Sequence, residues 1–305
     1  MSPVPASGPD LPHVRFSQRR LPNGLRVIVA PDHLAPVVAI NLWYDVGSRH
    51  EQPGKTGFAH LFEHFMFQGS RHVSKSEHMS LIQGAGGVNN ATTFFDRTNY
   101  FETLPSHQLD LGLWLEADRM ATLLDALSQE NLDNQREVVK NEKRQSYDNR
   151  PYGSFYEKLM AAVFPADHPY HHTPIGSMAD LDAASLDDVI SFFREWYAPN
   201  NAVLTIAGDV TTDEGFAAAD RWFGPIPANA ALAQPALPVV APEPRYSSES
   251  YHSPSDSVET WGVWHQLPHS AQRTKRTGPH GNRRSTTRPA SGIAAPHTQA
   301  TRVRY

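Results

Sequence analysis

The sequence contains no cysteine among its 305 residues. This absence excludes a disulfide scaffold, a thiolate-bound iron–sulfur cluster, a cysteine zinc knuckle and a cysteine nucleophile. Long apolar runs are also missing, since no stretch reaches the roughly 18 apolar residues that a transmembrane helix needs. Any metal ion in this protein would therefore be bound by His, Asp or Glu, and we expect no association with a membrane.

The first ten residues have neither a basic start nor an apolar segment, so no signal peptide is recognised. We expect a cytoplasmic protein, with a periplasmic location as the alternative if a leader is missing from this sequence. Hydrophobic residues make up 39% of the chain. This share is below the usual ~45–50%, which indicates that part of the chain does not fold.

Acidic and basic residues are unevenly distributed. The net charge is −5, but residues 271–305 contain eight Arg or Lys and no Asp or Glu. Residues 1–270 therefore carry 19 of the 27 basic residues against all 32 acidic ones, a net charge of −13. A folded body with this charge is unsuited to nucleic acid. The basic tail could bind RNA or anionic lipid, but it lacks interleaved aromatic residues, and we expect it to be solvated rather than a nucleic-acid site.

Strand-like and helix-like segments are interleaved without strict alternation. This arrangement favours an α+β fold in which α-helices cover a largely antiparallel β-sheet. The pair Asn23-Gly24 between two apolar runs predicts a β-hairpin. The predicted strands are 14–21, 25–30, 37–44, 88–95, 99–104 and 202–207, and the predicted helices are 56–67, 74–82, 107–127, 131–147, 152–163, 185–197 and 212–223.

Composition divides the chain into three parts. Residues 13–224 contain all of these periodic segments and are predicted to form one complete domain. Residues 225–244 include six prolines among alanines, as in an extended linker. From residue 245 onwards the period is lost and Ser, His, Thr, Arg and Pro dominate, so residues 245–305 are expected to be mostly disordered.

The segment His60-Leu-Phe-Glu63-His64 lies within the predicted helix 56–67. Residues four apart share one face of a helix, so His60 and His64 can direct two imidazoles at one ion. Glu63 lies three residues after His60, close enough to take a proton from a water molecule that a metal ion activates. The alternative is a pair of surface or hydrogen-bonded histidines on an amphipathic helix.

A catalytic zinc ion takes three protein ligands and leaves one position open. The strongest candidate for the third ligand is Glu142, and Glu137 is a second carboxylate on the same predicted helix. Five residues turn a helix by about 500°, so the two carboxylates point about 140° apart and only one of them can face the site.

Three histidines, His168, His171 and His172, could suggest a second metal site. A proline lies among them, and we expect a solvated loop.

His60-x-x-Glu63-His64 followed by Glu142 in an Arg-x-Val-Val-x-x-Glu context resembles the M16 metallopeptidases, the pitrilysin, insulinase and mitochondrial processing peptidase family. Further pieces of the resemblance extend over roughly residues 14–224. They are Tyr44-Asp-Val-Gly-Ser48-Arg, Asn89-Asn-Ala-Thr-Thr93, Thr98-Asn-Tyr100, Tyr152-Gly153, Ile175-Gly176, Phe193-x-x-x-Tyr197-x-Pro-x-Asn and Gly208-Asp209.

The resemblance implies a role for each matching residue. His60, His64 and Glu142 would bind Zn²⁺, and Glu63 would activate water. Asn90 and Ala91 would lie on an edge strand to which a peptide substrate adds as a further strand. Phe65 and Phe95 would either line the cleft, with Phe65 as a substrate-binding residue, or pack in the core. Many relatives have a carboxylate seven residues before the third ligand. This chain has Gln135 there, which could hydrogen-bond to the ligands without charge.

Members of the family use two similar α+β domains or two subunits. Residues 245–305 do not resemble a second domain, and we interpret them as a truncated or out-of-frame remnant. A second M16-type domain or subunit is therefore the expected partner. The function implied is a zinc-dependent endopeptidase acting on short or unfolded polypeptides. The alternative is an inactive zinc-binding or peptide-binding subunit that needs a second chain.

Glu116 and Asp118 are interpreted as the solvated face of helix 107–127.

Overall fold

The computed structural model describes residues 14–232, 246–252 and 259–265. The first of these ranges contains a six-stranded sheet in the order β1-β2-β6-β3-β5-β4. Four of its five neighbouring pairs are antiparallel, and β2 and β6 are parallel. These findings confirm the α+β class and the largely antiparallel sheet. The strands are β1 (Ser17–Arg20), β2 (Arg26–Pro31), β3 (Val37–Tyr44), β4 (Val88–Thr93), β5 (Thr98–Pro105) and β6 (Ala202–Gly208).

The Asn23-Gly24 turn joins β1 and β2 as predicted. The hairpin pairs Ser17 with Val29 and Arg20 with Arg26. Gly24 has a φ of +88°, and a Cβ at this position would lie 2.7 Å from the Cβ of Asn200. Glycine is required here because its backbone reaches this conformation without strain and leaves room for the neighbouring chain.

Eight α-helices lie in the same range. The sequence predicts seven of them and misses α6, which has six residues and is too short to show a helical period. A π-helical turn, Arg144–Asp148, follows α4. The helices are α1 (Phe58–Phe65), α2 (Glu77–Gly84), α3 (Leu109–Ala126), α4 (Gln129–Lys143), α5 (Phe155–Val163), α6 (Met178–Ala183), α7 (Leu186–Trp196) and α8 (Thr212–Phe223).

The hydrophobic core lies between one face of the sheet and the helices. Along β3, buried residues alternate with more exposed ones, as expected for a strand with one covered face. The pairing places Leu42 between Tyr100 of β5 and Leu204 of β6, all of them buried. Helix α1 enters this core through Phe62, whose ring stacks on Phe192 of α7. The packing thus fixes α1, with its two histidines, against the sheet and α7.

Two further strands, β7 (Tyr246–His252) and β8 (Glu259–His265), pair antiparallel. This hairpin lies within residues 245–305, which were expected to be mostly disordered because they show no persistent period. The rest of the predicted linker from residue 233 onwards, and the basic tail, lie outside the described residues. No helix in the described ranges is long and apolar enough to cross a membrane.

Candidate metal centre

Helix α1 presents two different faces. Phe58, Leu61 and Phe62 are buried in the core, whereas His60 and His64 lie on the opposite side, partly exposed. The spacing of the apolar residues therefore orients the two histidines away from the core. Their rings are perpendicular, with centroids 4.9 Å apart.

Glu142, near the end of α4, completes a cluster of three possible ligands that we call the zinc cluster. The Nε2 atom of His60 lies 3.6 Å from Oε1 of Glu142, and Nε2 of His64 lies 3.3 Å from Oε2. All three donor atoms lie within 4.8 Å of one another. Two neutral imidazoles and one carboxylate are the ligand set of a catalytic zinc site, so these residues fit a zinc ion.

Glu137 does not reach the zinc cluster. Its side chain is exposed and accepts a hydrogen bond from Lys140 at 2.9 Å. The helix geometry therefore selects Glu142 over Glu137, as expected for two carboxylates five residues apart.

The protonation of the cluster suits metal binding. Burial and the neighbouring His64, in that order, lower the pKa of His60 to about 4, and Glu142 opposes the shift. The hydrogen bond with His64 lowers the pKa of Glu142, and this outweighs the effect of burial. His60 is therefore neutral and Glu142 ionised at neutral pH, which are the forms that bind a metal ion.

Glu63 lies in the same cleft as the zinc cluster. Its Oε2 atom accepts a hydrogen bond from the Thr93 hydroxyl at 2.5 Å. Burial raises the pKa of Glu63, and the bond from Thr93 opposes this shift. A carboxylate whose pKa lies closer to neutrality is a better proton acceptor and donor near pH 7.

The cleft has a volume of about 280 Å³. Strand β4 forms one wall and is an edge strand of the sheet, as predicted for Asn90 and Ala91. Ala91 lines the cleft, while Asn90 is exposed and accepts a hydrogen bond from the Ala91 amide through Oδ1 at 2.9 Å. The lining residues are His60, Glu63, Ala91, Thr92, Thr93, Phe94, Phe95, Glu142, Tyr147, Tyr156, Pro174 and Ile175.

The assignment of Phe65 to substrate binding is wrong. Its side chain is fully buried, and its ring packs against Phe62 with centroids 5.8 Å apart. Phe65 follows Phe58 and Leu61 on the apolar face of α1, so it turns into the core, which was the alternative role for this residue. Phe95 does line the cleft.

Gln135 is buried on α4, and its amide donates to Oδ1 of Asn134 at 2.8 Å. Among the described residues it forms no hydrogen bond with a member of the zinc cluster. The structure therefore shows no direct contact through which Gln135 would support the ligands.

Two interpretations of polar residues were wrong. The loop at residues 168–172 is not simply solvated: His168 is buried. The side chain of His172 is 23% exposed, and its Nε2 atom lies 2.9 Å from Oε2 of Glu51 and 3.2 Å from the carbonyl of Ser48. Glu116 is not on a solvated face, because only 1% of it is exposed and it pairs with buried Arg119. Asp118 is buried too and accepts a hydrogen bond from Ser70. The contacts of His172 and Asp118 join residues far apart in the sequence, so no local period reveals them. Glu116 and Arg119 have the i,i+3 spacing of a helix, but that spacing does not show that the pair is buried.

Comparisons with known proteins agree with a zinc peptidase site. The family model described as insulinase, peptidase family M16, matches residues 26–172, and the model described as the peptidase M16 inactive domain matches residues 183–267. The chain belongs to peptidase family M16. The second match extends past residue 245, from which a truncated or out-of-frame remnant was predicted.

Individual relatives agree with the family assignment. The chain is 36% identical to the zinc protease PqqE of Helicobacter pylori over 204 residues, which is 67% of this chain and 45% of that protein. It is 28% identical to the mitochondrial-processing peptidase subunit beta of Blastocladiella emersonii, over 68% of this chain and 44% of that one. The chain thus spans about half the length of the curated relatives it matches.

Solved structures show the same fold. A protease from Helicobacter pylori superposes with a TM-score of 0.68 and 33% identity, covering 74% of this chain and 53% of that one. The first half of the periplasmic protease PqqL from Escherichia coli superposes with a TM-score of 0.67 and 24% identity, over 74% of this chain and 49% of that one. At this lower identity the likeness is one of fold alone.

Proposed function

We propose that this M16 chain carries the zinc site of an endopeptidase that hydrolyses short or unfolded polypeptides. The observation that carries the proposal is the zinc cluster together with Glu63 in one cleft beside an edge strand. His60, His64 and Glu142 would hold the zinc ion. When bound, zinc supplies a Lewis acid that polarises a carbonyl oxygen and lowers the pKa of water.

Glu63 is the general base and acid of this proposal. Its carboxylate takes a proton from the attacking water and later returns a proton to the leaving amine, so the group ends the cycle ionised. Thr93 holds one carboxylate oxygen through its 2.5 Å hydrogen bond and leaves the other for the proton transfer. Glu63 lies on the same helix as the ligands His60 and His64, and the three residues fall within two turns.

The edge strand β4 would orient the substrate. A strand at the edge of a sheet has unpaired backbone groups, and an extended peptide can hydrogen-bond to them as a further strand. Ala91 and Thr92 lie on β4 within the cleft, next to His60 and Glu63. A peptide added here would pass the zinc cluster in an extended form, which is available only to short or unfolded polypeptides.

The test is cleavage of a mixed-sequence quenched peptide pool by the full chain with zinc, with a chelator, and as Glu63→Gln. We expect cleavage that the chelator abolishes and that Glu63→Gln lowers by about 10²- to 10⁴-fold, the usual contribution of a general base. Zinc content of the Glu63→Gln variant should stay at the wild-type level, because Glu63 is not a ligand. Cleavage that survives the chelator would contradict the proposal.

A second candidate is an inactive zinc-binding or peptide-binding subunit that needs a second M16-type domain or chain. It is favoured by the observation that the chain spans about half of the relatives it matches. Absence of cleavage with zinc still bound, and its restoration by an added second half, would support this candidate. Cleavage by the chain alone would eliminate it.

A further inference from the structure

Helix α1 begins without a capping side chain of its own. Its N-cap residue is Gly57, with a φ of +92° and no side chain. A Cβ at this position would lie 3.0 Å from the carbonyl oxygen of Ile175, so the close approach of another segment adds to the conformational requirement for glycine. The free N–H groups of the first turn therefore need an acceptor from elsewhere.

Glu51 supplies that acceptor from the loop before α1. Its Oε2 atom accepts the amide of Gly57 at 2.9 Å, and its Oε1 atom accepts the amide of Ala59 at 2.8 Å. The carboxylate side chain is completely buried. A negative charge at this end also interacts favourably with the helix dipole. Ala59 immediately precedes the ligand His60, so the hydrogen bond between the Ala59 amide and Glu51 holds the backbone next to the His60 side chain.

His172 connects the same carboxylate to a wall of the cleft. Its Nε2 atom lies 2.9 Å from Oε2 of Glu51. Two and three residues further along the chain, Pro174 and Ile175 line the cleft beside His60. The backbone there is tight: a Cβ at Gly176 would lie 2.4 Å from the Cα of Gly57. Glu51 is therefore the common partner of the helix that carries the ligands and of the segment that shapes the cleft.

The three partners of this carboxylate reduce the cost of its burial. Burial raises the pKa of Glu51, and the bonds from His172 and from the two amides oppose the shift. Burial also acts to lower the pKa of His172, but the hydrogen bond and charge of Glu51 outweigh it and raise the pKa. A glutamine at this position would match the shape, but its NH₂ group would face an N–H donor and leave it without an acceptor.

We propose that Glu51 and His172 are positioning residues of the zinc site, which hold the first turn of α1 in register with the cleft wall at residues 174–175. The inference deepens the proposed function and rests on its zinc cluster. Without Glu51 the first turn of α1 is free to fray, and His60 lies in that turn while His64 lies one turn further on. Loss of these residues should therefore weaken zinc binding through His60 and disturb the adjacent cleft.

The test measures zinc affinity of the folded full chain by competition with a chromophoric chelator. We expect Glu51→Gln to weaken zinc binding by about tenfold, at the low end of what partners around metal ligands contribute. His172→Gln leaves both amide bonds of Glu51 intact and serves as the milder variant. It should change zinc affinity by less than about threefold and raise KM more than it lowers kcat, because its link is to the cleft wall.

Glu214→Gln is the matched control. Glu214 accepts the amide and hydroxyl of the N-cap residue Thr211 at the start of α8, so it is also a carboxylate that caps a helix, although an exposed one and on a helix without ligands. It should leave zinc affinity unchanged. Glu51→Gln with a lower unfolding temperature and wild-type zinc affinity would show a merely structural role and overturn the inference.

Failure of the proposed function gives a different result. A wild-type chain that binds zinc and cleaves no peptide contradicts the endopeptidase, while the three zinc affinities still decide whether Glu51 positions the site. A wild-type chain that binds no zinc overturns both proposals.

Discussion

Two clusters of this protein offer similar donor atoms in different surroundings. The zinc cluster combines His60, His64 and Glu142. The buried cluster combines His78, Glu102 and Glu116, and in both groups the donor atoms lie within 4.8 Å of one another. The zinc cluster faces a cleft and is partly exposed, whereas all three members of the buried cluster are at least nine-tenths buried.

The two clusters differ because the guanidinium of Arg119 lies beside the buried cluster. Arg119 pairs with Glu116 through two nitrogens, and its guanidinium lies 4.3 Å from the ring centroid of Tyr100 and 5.0 Å from that of Phe67. The buried cluster therefore already has a positive charge beside its carboxylates, and it has no access from solvent. Donor atoms at the right spacing define a metal site only where no side-chain cation competes and an ion can enter.

The buried cluster also has an energetic cost. Nε2 of His78 lies 3.5 Å from Oε2 of Glu102, and within the described residues neither this nitrogen nor the two Glu102 oxygens form a hydrogen bond. Burial lowers the pKa of His78 to about 3 and raises that of Glu102 to about 7. Polar groups in this state oppose folding unless Arg119 compensates for them.

The largest expected difference between the clusters is in zinc content. His64→Ala should reduce zinc from about one ion per chain to none, because a catalytic site has only three protein ligands. His78→Gln should keep the wild-type content, since Arg119 already balances the charge of the buried cluster. Metal analysis of the dialysed proteins gives the stoichiometry. A second zinc ion that is lost in His78→Gln would show that the buried cluster is a metal site.

Removal of the cation should affect stability next most strongly. Arg119→Met leaves the carboxylates of Glu116 and Glu102 buried without a positive charge, and breaking a buried pair in this way costs about 3–5 kcal/mol. Urea denaturation measures the free energy of unfolding. The control is Arg221→Met, because Arg221 pairs with Asp110 on the surface, where such a pair contributes about 0–1 kcal/mol. Equal losses in the two variants would contradict the role given to Arg119.

The smallest effect concerns pH. The pKa of Glu102 rises from 4.5 to about 7 on folding, so the folded chain keeps a proton that the unfolded chain releases between these values. Stability therefore falls as the pH rises through this window and levels off above it. Glu102→Gln has no such proton, so relative to the wild type it should gain about 1–3 kcal/mol between pH 4.5 and 7. Unfolding free energies at several pH values measure this gain. Parallel curves for the two proteins would contradict the prediction.

Local signals were sufficient for most of the fold. A nearly continuous apolar run predicted β3 at Val37–Tyr44, and residues 212–223 were predicted to form the helix α8, both with the bounds found in the structure. Helix α6 was missed because six residues give too few turns for a period. The hairpin of β7 and β8 was missed because its segment shows no persistent alternation.

The residues of the candidate site also divide into those that local spacing predicted and those that it did not. The spacing of His60, Glu63 and His64 was visible because all three lie on one helix, where sequence separation fixes direction. Geometry along α4 showed that only one of Glu142 and Glu137 can face the site, and the structure places Glu142 there. Phe65 was misassigned because an apolar residue beside a ligand can line a cleft or pack in the core, and sequence spacing alone does not say which side the sheet covers.

The sequence by itself determined most of the helices and strands, the pair of histidines with the carboxylate of Glu63, and the exclusion of thiolate chemistry. Only the tertiary structure decided which carboxylates meet which histidines over long separations: Glu142 with His60 and His64, Glu51 with His172, and Glu102 with His78. The physical reason is that helical and strand periods act over a few residues, whereas these pairs form where separate elements pack together. Burial then sets the charge of each group, and burial is a property of the packed core rather than of the local sequence.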